Sequence, residues 1–130
     1  DEKQGTYFKA PSGGPLVQHS LAAMLEFYQR GKISLEKVVQ KMCHNPAILF
    51  QIEKRGFLRE GYFGDLVLVD LDSPWQVSQE NILAKCGWSP MQGTTFRSKV
   101  SQTFVSGHRV FADGAFDESR WGDRLVFDRK

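Results

Sequence analysis

At 130 residues, with 41% hydrophobic, 12% aromatic and 25% charged side chains, the chain has the composition of an ordinary globular protein. That excludes collagen, low-complexity sequence and a disulfide-rich scaffold. Seventeen Lys and Arg against fifteen Asp and Glu leave a formal charge of +2, with no basic block to serve as a nucleic-acid footprint. Apolar runs such as Leu66-Val67-Leu68-Val69 fall far short of the roughly 20 residues of a membrane span, and Asp1-Glu2-Lys3-Gln4-Gly5 lacks the basic and apolar stretches of a secretory signal. Cys43 and Cys86 cannot build a disulfide framework, so we expect reduced thiols in a cytoplasmic protein, with neither a nucleic-acid nor a membrane partner.

In chain order, Ala10-Pro11-Ser12-Gly13-Gly14-Pro15 marks a shaped loop, and Pro15 suits the first turn of a helix. Val17, Leu21, Met24, Leu25 and Tyr28 recur at helical spacing and predict one apolar stripe ending at Gly31, with Gln18, Glu26 and Arg30 on the wet side. Ser34 is a favourable N-cap for a second helix buried through Leu35, Val38, Val39 and Met42, with Glu36 near its positive end. Asn45-Pro46 repeats the cap signal and predicts a separate short helix carrying Ala47, Ile48 and Phe50 inward.

After about residue 52 the grammar changes. Gly56, Gly61 and Gly64 lead into a strand over 65–70 that is apolar on both faces, the pattern of a strand between two layers. Val100 to Val105 predicts a second strand, Ser106-Gly107-His108-Arg109 a hairpin turn, then a strand to Ala112 and a turn at Asp113-Gly114. The irregular stretch 73–98 is long for a compact domain and should wrap something or carry a short strand. Helices come first and short strands after, and neither half has an evident cover for its apolar faces within the chain.

Four segments occur in a recognisable order: Asn45-Pro46-Ala47-Ile48-Leu49-Phe50; Gly56-Phe57-Leu58-Arg59-Glu60-Gly61 running on to Asp65-Leu66-Val67-Leu68-Val69-Asp70; Ser89-Pro90-Met91-Gln92-Gly93; and Val100 through Phe104-Val105, Gly107 and Val110 to Gly114. Together, over residues 10–115, they resemble the C-terminal portion of a cyclic amidohydrolase, and most of all a dihydroorotase. The resemblance implies an α/β fold. Residues 1–52 would form the end of a metal-dependent-hydrolase TIM barrel, with the substrate loop and closing helices, and 53–130 the C-terminal share of a small composite β-sandwich. The partner surfaces would lie in an N-terminal barrel and sandwich segment absent here. The intact protein is expected to be a homodimer.

The chemistry the resemblance implies is interconversion of dihydroorotate and N-carbamoyl-aspartate in pyrimidine biosynthesis. Zinc ions lower the pKa of a bound water and polarise the carbonyl, while a carboxylate moves the proton. The family's His-x-His pair, carboxylated lysine and Asp-His-Ala-Pro-His motif have no counterpart here, and Asp1, followed by Glu-Lys-Gln, is not the catalytic aspartate. The chain therefore carries no catalytic residue and no metal ligand, and alone it should be inactive. One site carries over: Ala10-Pro11-Ser12-Gly13 matches the family's substrate loop and gives Ser12 and Gly13 as substrate-binding residues. Glycine lets a backbone N–H approach an anionic carboxylate, and the following helix start favours negative charge. Ser12 replaces the usual aromatic and Gly14 to His19 departs from the commonest continuation, which keeps hydantoin, dihydropyrimidine or allantoin as alternative rings and a non-catalytic relative as an alternative class.

His19, His44 and His108 occur at no zinc-site spacing, with or without Cys43 and Cys86. We read His44 as lying beside the Asn45 cap, His108 as a turn residue at positive φ, and His19 as a solvated or core-edge residue, with support of the substrate loop as its competing role. Ser12 has neither a placed base nor a Gly-x-Ser-x-Gly setting. Asp65, Asp70 and Asp72 mark strand ends and not a calcium site, and Trp75, Trp88 and Trp121 are read as packing of sheet against barrel.

Overall fold

A computed structural model describes residues 5–10 and 13–128. A 3₁₀ turn over Val17–His19 runs directly into α1 (Ser20–Gln29). The helix ends as the sequence requires. Gly31 takes φ +65°, its N–H donates to the Tyr28 carbonyl at 2.8 Å, and the Lys32 N–H donates to Phe27 at 2.9 Å. That pair of bonds is a Schellman closure, which satisfies carbonyls the helix would otherwise leave open.

Ser34 caps α2 (Leu35–Val39), its hydroxyl accepting from the Lys37 N–H at 3.3 Å, and Val38 is buried. The expected break at Asn45 is absent. Asn45 is helical, at φ −62° and ψ −43°, and a π turn over Gln40–His44 joins α2 to α3 (Asn45–Leu49) without interruption. Pro46 has no N–H for an α-helical bond, and the wider turn just before it, in which the Asn45 N–H reaches back to the Gln40 carbonyl, lets the chain pass that position without ending the helix. Only Ala47 of the expected inward set is buried within the chain; Ile48 and Phe50 are exposed, as is Val39 on the preceding helix.

Four strands form one antiparallel sheet in the order β1 (Leu66–Asp70), β4 (Lys99–Val105), β5 (His108–Ala112), β6 (Ala115–Phe116). Ser106 and Gly107, at φ 49° and 78°, make the β4–β5 turn, and Asp113 and Gly114, at 49° and 92°, make the β5–β6 turn. Two left-handed residues in a two-residue loop match the right-handed twist of the strands they join. His108 therefore opens β5 instead of occupying the positive-φ position assigned to it from sequence. The pairing shifts by one residue at Ser101 in β4 and at Val110 in β5, and each bulge is bonded: the Ser101 carbonyl accepts from Asp113 N–H and the Val110 carbonyl from Asp117 N–H.

The stretch 73–98 contributes a second sheet of two short strands, β2 (Trp75–Gln76) and β3 (Thr95–Phe96), with a 3₁₀ turn at Gln79–Asn81 between them. It wraps α1. Ala22 of that helix, Val77 and Phe96 form the buried cluster, with Trp75, Ile82 and Met91 packed around it. Burial of a side chain such as Val77 or Phe96 contributes roughly 1.5–3 kcal/mol. Of the expected apolar stripe of α1 only Leu25 is buried within the chain; Leu21, Met24 and Tyr28 are partly buried, Val17 stands 92% exposed, and the buried Ala22 lies outside that set.

β1 behaves differently. Leu66, Val67 and Leu68 are all exposed at this edge of the four-stranded sheet, so among the described residues no second layer encloses the strand. The accessible surface of the whole chain is 9887 Å², against about 7,000 Å² for a compact monomer of this mass.

Gly56 fixes how the chain leaves the helices. At φ +77° it passes so close to them that a Cβ there would meet the Ala47 Cβ at 2.5 Å and the Cys43 carbonyl oxygen at 2.7 Å. Gly56→Ala should destabilise the intact protein by about 2 kcal/mol or more, since backbone strain and overpacking act together, and chemical denaturation measures the loss.

Candidate functional site

The loop ahead of α1 is built from tight local turns. Lys9 and Ala10 N–H groups both donate to the Thr6 carbonyl, and Leu16 N–H donates to Gly14 at 2.9 Å. Gly13 lies at φ +94°, a conformation that disfavours any side chain, and no described atom lies within 4 Å of where its Cβ would stand. The loop is therefore open on that side of Gly13. Ser12, its neighbour in the sequence-based site, lies outside the described residues. The loop leads into a helix start with no acidic residue in its first turn and no side-chain cap among the described residues. Such a start leaves N–H groups and the positive end of the helix dipole available to an anion.

Two consecutive side chains fasten this helix start to the wrapping segment. The Gln18 amide donates to the Asn81 carbonyl at 2.7 Å and accepts from Leu83 N–H at 2.9 Å. His19 is 1% exposed, and its Nδ1 lies 3.1 Å from the Ser89 hydroxyl oxygen, which also accepts the Met91 N–H. The imidazole packs near-parallel to Trp75 and Phe96, whose own rings are 5.6 Å apart. His19 Nε2 is buried without a hydrogen-bond partner among the described residues. Burial holds the pKa of His19 below the ordinary histidine value because the charged form loses its water. This residue is neither solvated nor at the core edge.

Further along α1, Glu26 pairs with Arg97 at 2.9 Å and with Arg30 at 3.1 Å, and the Arg97 hydrogen bond leads in holding its carboxyl below the ordinary range. Gln29 donates to the Leu71 carbonyl at 2.6 Å and to the Ser98 hydroxyl at 3.3 Å. Helical periodicity assigns Gln18, Glu26 and Arg30 to solvent, yet Gln18 and Glu26 are the residues by which the helix is held. Periodicity detects apolar burial and is blind to polar groups that pair with irregular backbone. A Gln or Glu facing a long non-repetitive segment is the signal that was available.

The other sequence candidates lie apart. His44 stacks on Phe57 at 4.4 Å, with the Arg59 guanidinium on that same ring at 4.5 Å. His108 sits 3.1 Å from the Asp117 carboxylate. Asp65 pairs with the buried Arg55 and accepts the Ser106 N–H at 2.8 Å, while Asp70 accepts the Asp72 N–H at the end of β1. Trp75 donates to the Ser98 carbonyl and packs in the core, Trp88 is partly buried, and Trp121 is 96% exposed. Cys43 and Cys86 are free thiols. Among the described residues no group of three or more His, Cys, Asp or Glu comes together to hold a metal, so these residues do not fit a zinc centre. No helix among them is long and apolar enough to cross a membrane.

Mixed helix and sheet with this order of elements is matched by known hydrolases. The Amidohydrolase family profile matches residues 11–110, and the chain belongs to that family. It is 33% identical over 118 residues to a dihydroorotase from Pyrococcus abyssi, covering 91% of this chain and 29% of that protein. Among solved structures it superposes on an L-hydantoinase (dihydropyrimidinase) from Arthrobacter aurescens with a TM-score of 0.78 at 32% identity, covering 84% of this chain and 25% of the other. For a dihydropyrimidinase from Brevibacillus agri the TM-score is 0.81 at 26% identity, covering 85% and 24%. The chain spans less than a third of the length of the curated relatives it matches.

Because the pKa of His19 is lowered on folding, stability from its neutral form is fully present above the unfolded value of roughly 6.5 and is lost as pH falls below it. Unfolding free energies of the intact protein and of His19→Asn, compared between pH 7.5 and 5, should converge as the solution is acidified.

Proposed function

We propose that this chain is the C-terminal portion of a zinc-dependent dihydroorotase, an enzyme that closes N-carbamoyl-aspartate to dihydroorotate with loss of water and runs the reverse hydrolysis. The observation that carries the reading is the 118-residue similarity to a dihydroorotase, which spans the Gly13 loop and the helix behind it. Residues 1–52 complete the barrel and 53–130 contribute to the composite sandwich. The surface in excess of a compact monomer, and the exposed Leu66, Val67 and Leu68 on an edge strand, support a body completed by further polypeptide. In the intact protein, which we place in the cytoplasm as a homodimer, the zinc ligands and the proton-transferring carboxylate come from outside this chain.

What this chain supplies is recognition. The open left-handed turn at Gly13 lets its backbone N–H approach the substrate carboxylate, with Ser12 the second contact on the family motif alone, and the uncapped helix start adds a favourable field. Such contacts orient the ring and leave bond-making to groups elsewhere. A second reading keeps the family and changes the ring to hydantoin or a dihydropyrimidine, and it is supported by the names of the two solved structures described above.

Assay of the intact protein against dihydroorotate, N-carbamoyl-aspartate, hydantoin and dihydrouracil separates the two. Turnover of the first pair is expected; opening of hydantoin or dihydrouracil with no turnover of that pair would replace the assignment. Gly13→Val should raise KM about tenfold or more with kcat changed only a few-fold, as expected for a group that binds without reacting.

A further inference from the structure

We propose that His19 and Ser89 are a positioning pair that sets the substrate loop at Gly13 through the first turn of the helix. The inference rests on the reading of that loop as a substrate contact.

The geometry supplies the rest. His19 and Gly13 are separated by one short, tightly turned segment, in which Leu16 N–H bonds back to Gly14 and His19 N–H bonds back to Leu16. A shift of His19 is therefore passed to the loop through local turns with little slack. The helix start provides no cap of its own among the described residues, so its position is set from outside. Two tethers do this: the Gln18 amide on the Asn81 and Leu83 backbone, and the His19 Nδ1 on the Ser89 hydroxyl.

Of these, the histidine is the more demanding arrangement. A ring buried to 1% exposure, flanked by Trp75 and Phe96 and with Nε2 unpartnered among the described residues, carries a desolvation cost that a phenylalanine or leucine there would avoid. What the imidazole adds over an apolar residue is one directed bond to Ser89. Ser89 is itself buried and fixed by the Met91 N–H, so the bond fastens the loop end of the helix to a rigid turn. Groups that bind substrate need such supporting contacts to hold their geometry.

The test uses the intact protein with three variants. Ser89→Ala removes one hydroxyl and leaves the Gln18 tether in place. His19→Phe keeps the aromatic packing and removes the directed bond, and His19→Asn places an amide donor near the Nδ1 position. Ser89→Ala and His19→Phe should each raise KM about tenfold with kcat within about twofold, whereas His19→Asn should return KM to within about threefold of the parent. Amide exchange, followed by mass spectrometry, should accelerate about tenfold or more over residues 13–17 in Ser89→Ala while residues 35–49 stay unchanged. The pair is overturned if Ser89→Ala leaves both KM and exchange at 13–17 unaltered, or if His19→Phe and His19→Asn behave alike. A parent protein that opens hydantoin or dihydrouracil but not dihydroorotate sinks the ring assignment, and the same KM comparison is then made on the ring it opens. A parent inactive on every ring sinks the proposed function, and the exchange measurement decides the pair by itself.

Discussion

The grip of the 71–98 segment on the polar side of α1 organises this chain. Gln18, His19, Glu26 and Gln29 each reach into that segment, to Asn81 and Leu83, Ser89, Arg97, and Leu71 with Ser98. A long irregular segment presents backbone groups that no ladder satisfies; the Gln18 and Gln29 amides satisfy three of them, while Glu26 pairs with the Arg97 side chain. The apolar cluster of Ala22, Val77 and Phe96 lies within this polar frame. Hydrophobic burial holds helix and segment together, while the directed bonds decide which residues face each other.

That frame places the Gly13 loop, which we propose as a substrate contact, at the free end of the helix. The loop has little of its own to hold it: short backbone turns, a left-handed glycine, and a helix start without a capping side chain among the described residues. Its definition comes from what lies behind it. This division is common in binding loops, where adaptable backbone makes the contact and a packed scaffold sets the position. It also accounts for a buried histidine in the first turn, a residue whose desolvation cost makes sense when its hydrogen bond has a geometric role.

The second half of the chain follows another logic. The four-stranded sheet is held by its own turns and by the bond network of Arg55, Asp65 and Ser106, yet its edge strand exposes Leu66, Val67 and Leu68. An edge strand apolar on both faces is a liability in an isolated domain. The exposed Ile48 and Leu49 on α3, with Phe50 just past its end, raise the same issue for the helices. The sequence already carries this tension, since narrow apolar stripes and a doubly apolar strand occur in a chain with no evident layer to cover them.

Sequence by itself determined the elements that rest on local rules. The Gly31 closure, the Ser34 cap, the strand at 66–70 and the two left-handed hairpin turns are legible because glycine conformational freedom, hydroxyl capping and a short β-branched apolar run act over a few residues. The family was likewise legible in the linear order of motifs. Tertiary structure decided the remainder. It ran α2 through Asn45 into α3 by way of a π turn, moved His108 into a strand, turned Gln18 and Glu26 from solvent to contact, and buried His19 against Ser89. The Gln18, Glu26 and His19 outcomes hinge on partners tens of residues away, the π turn relieves the backbone constraint at Pro46, and His108 is placed by which two residues of its hairpin take the left-handed turn. Polar pairing across such distances leaves no periodic trace in the sequence.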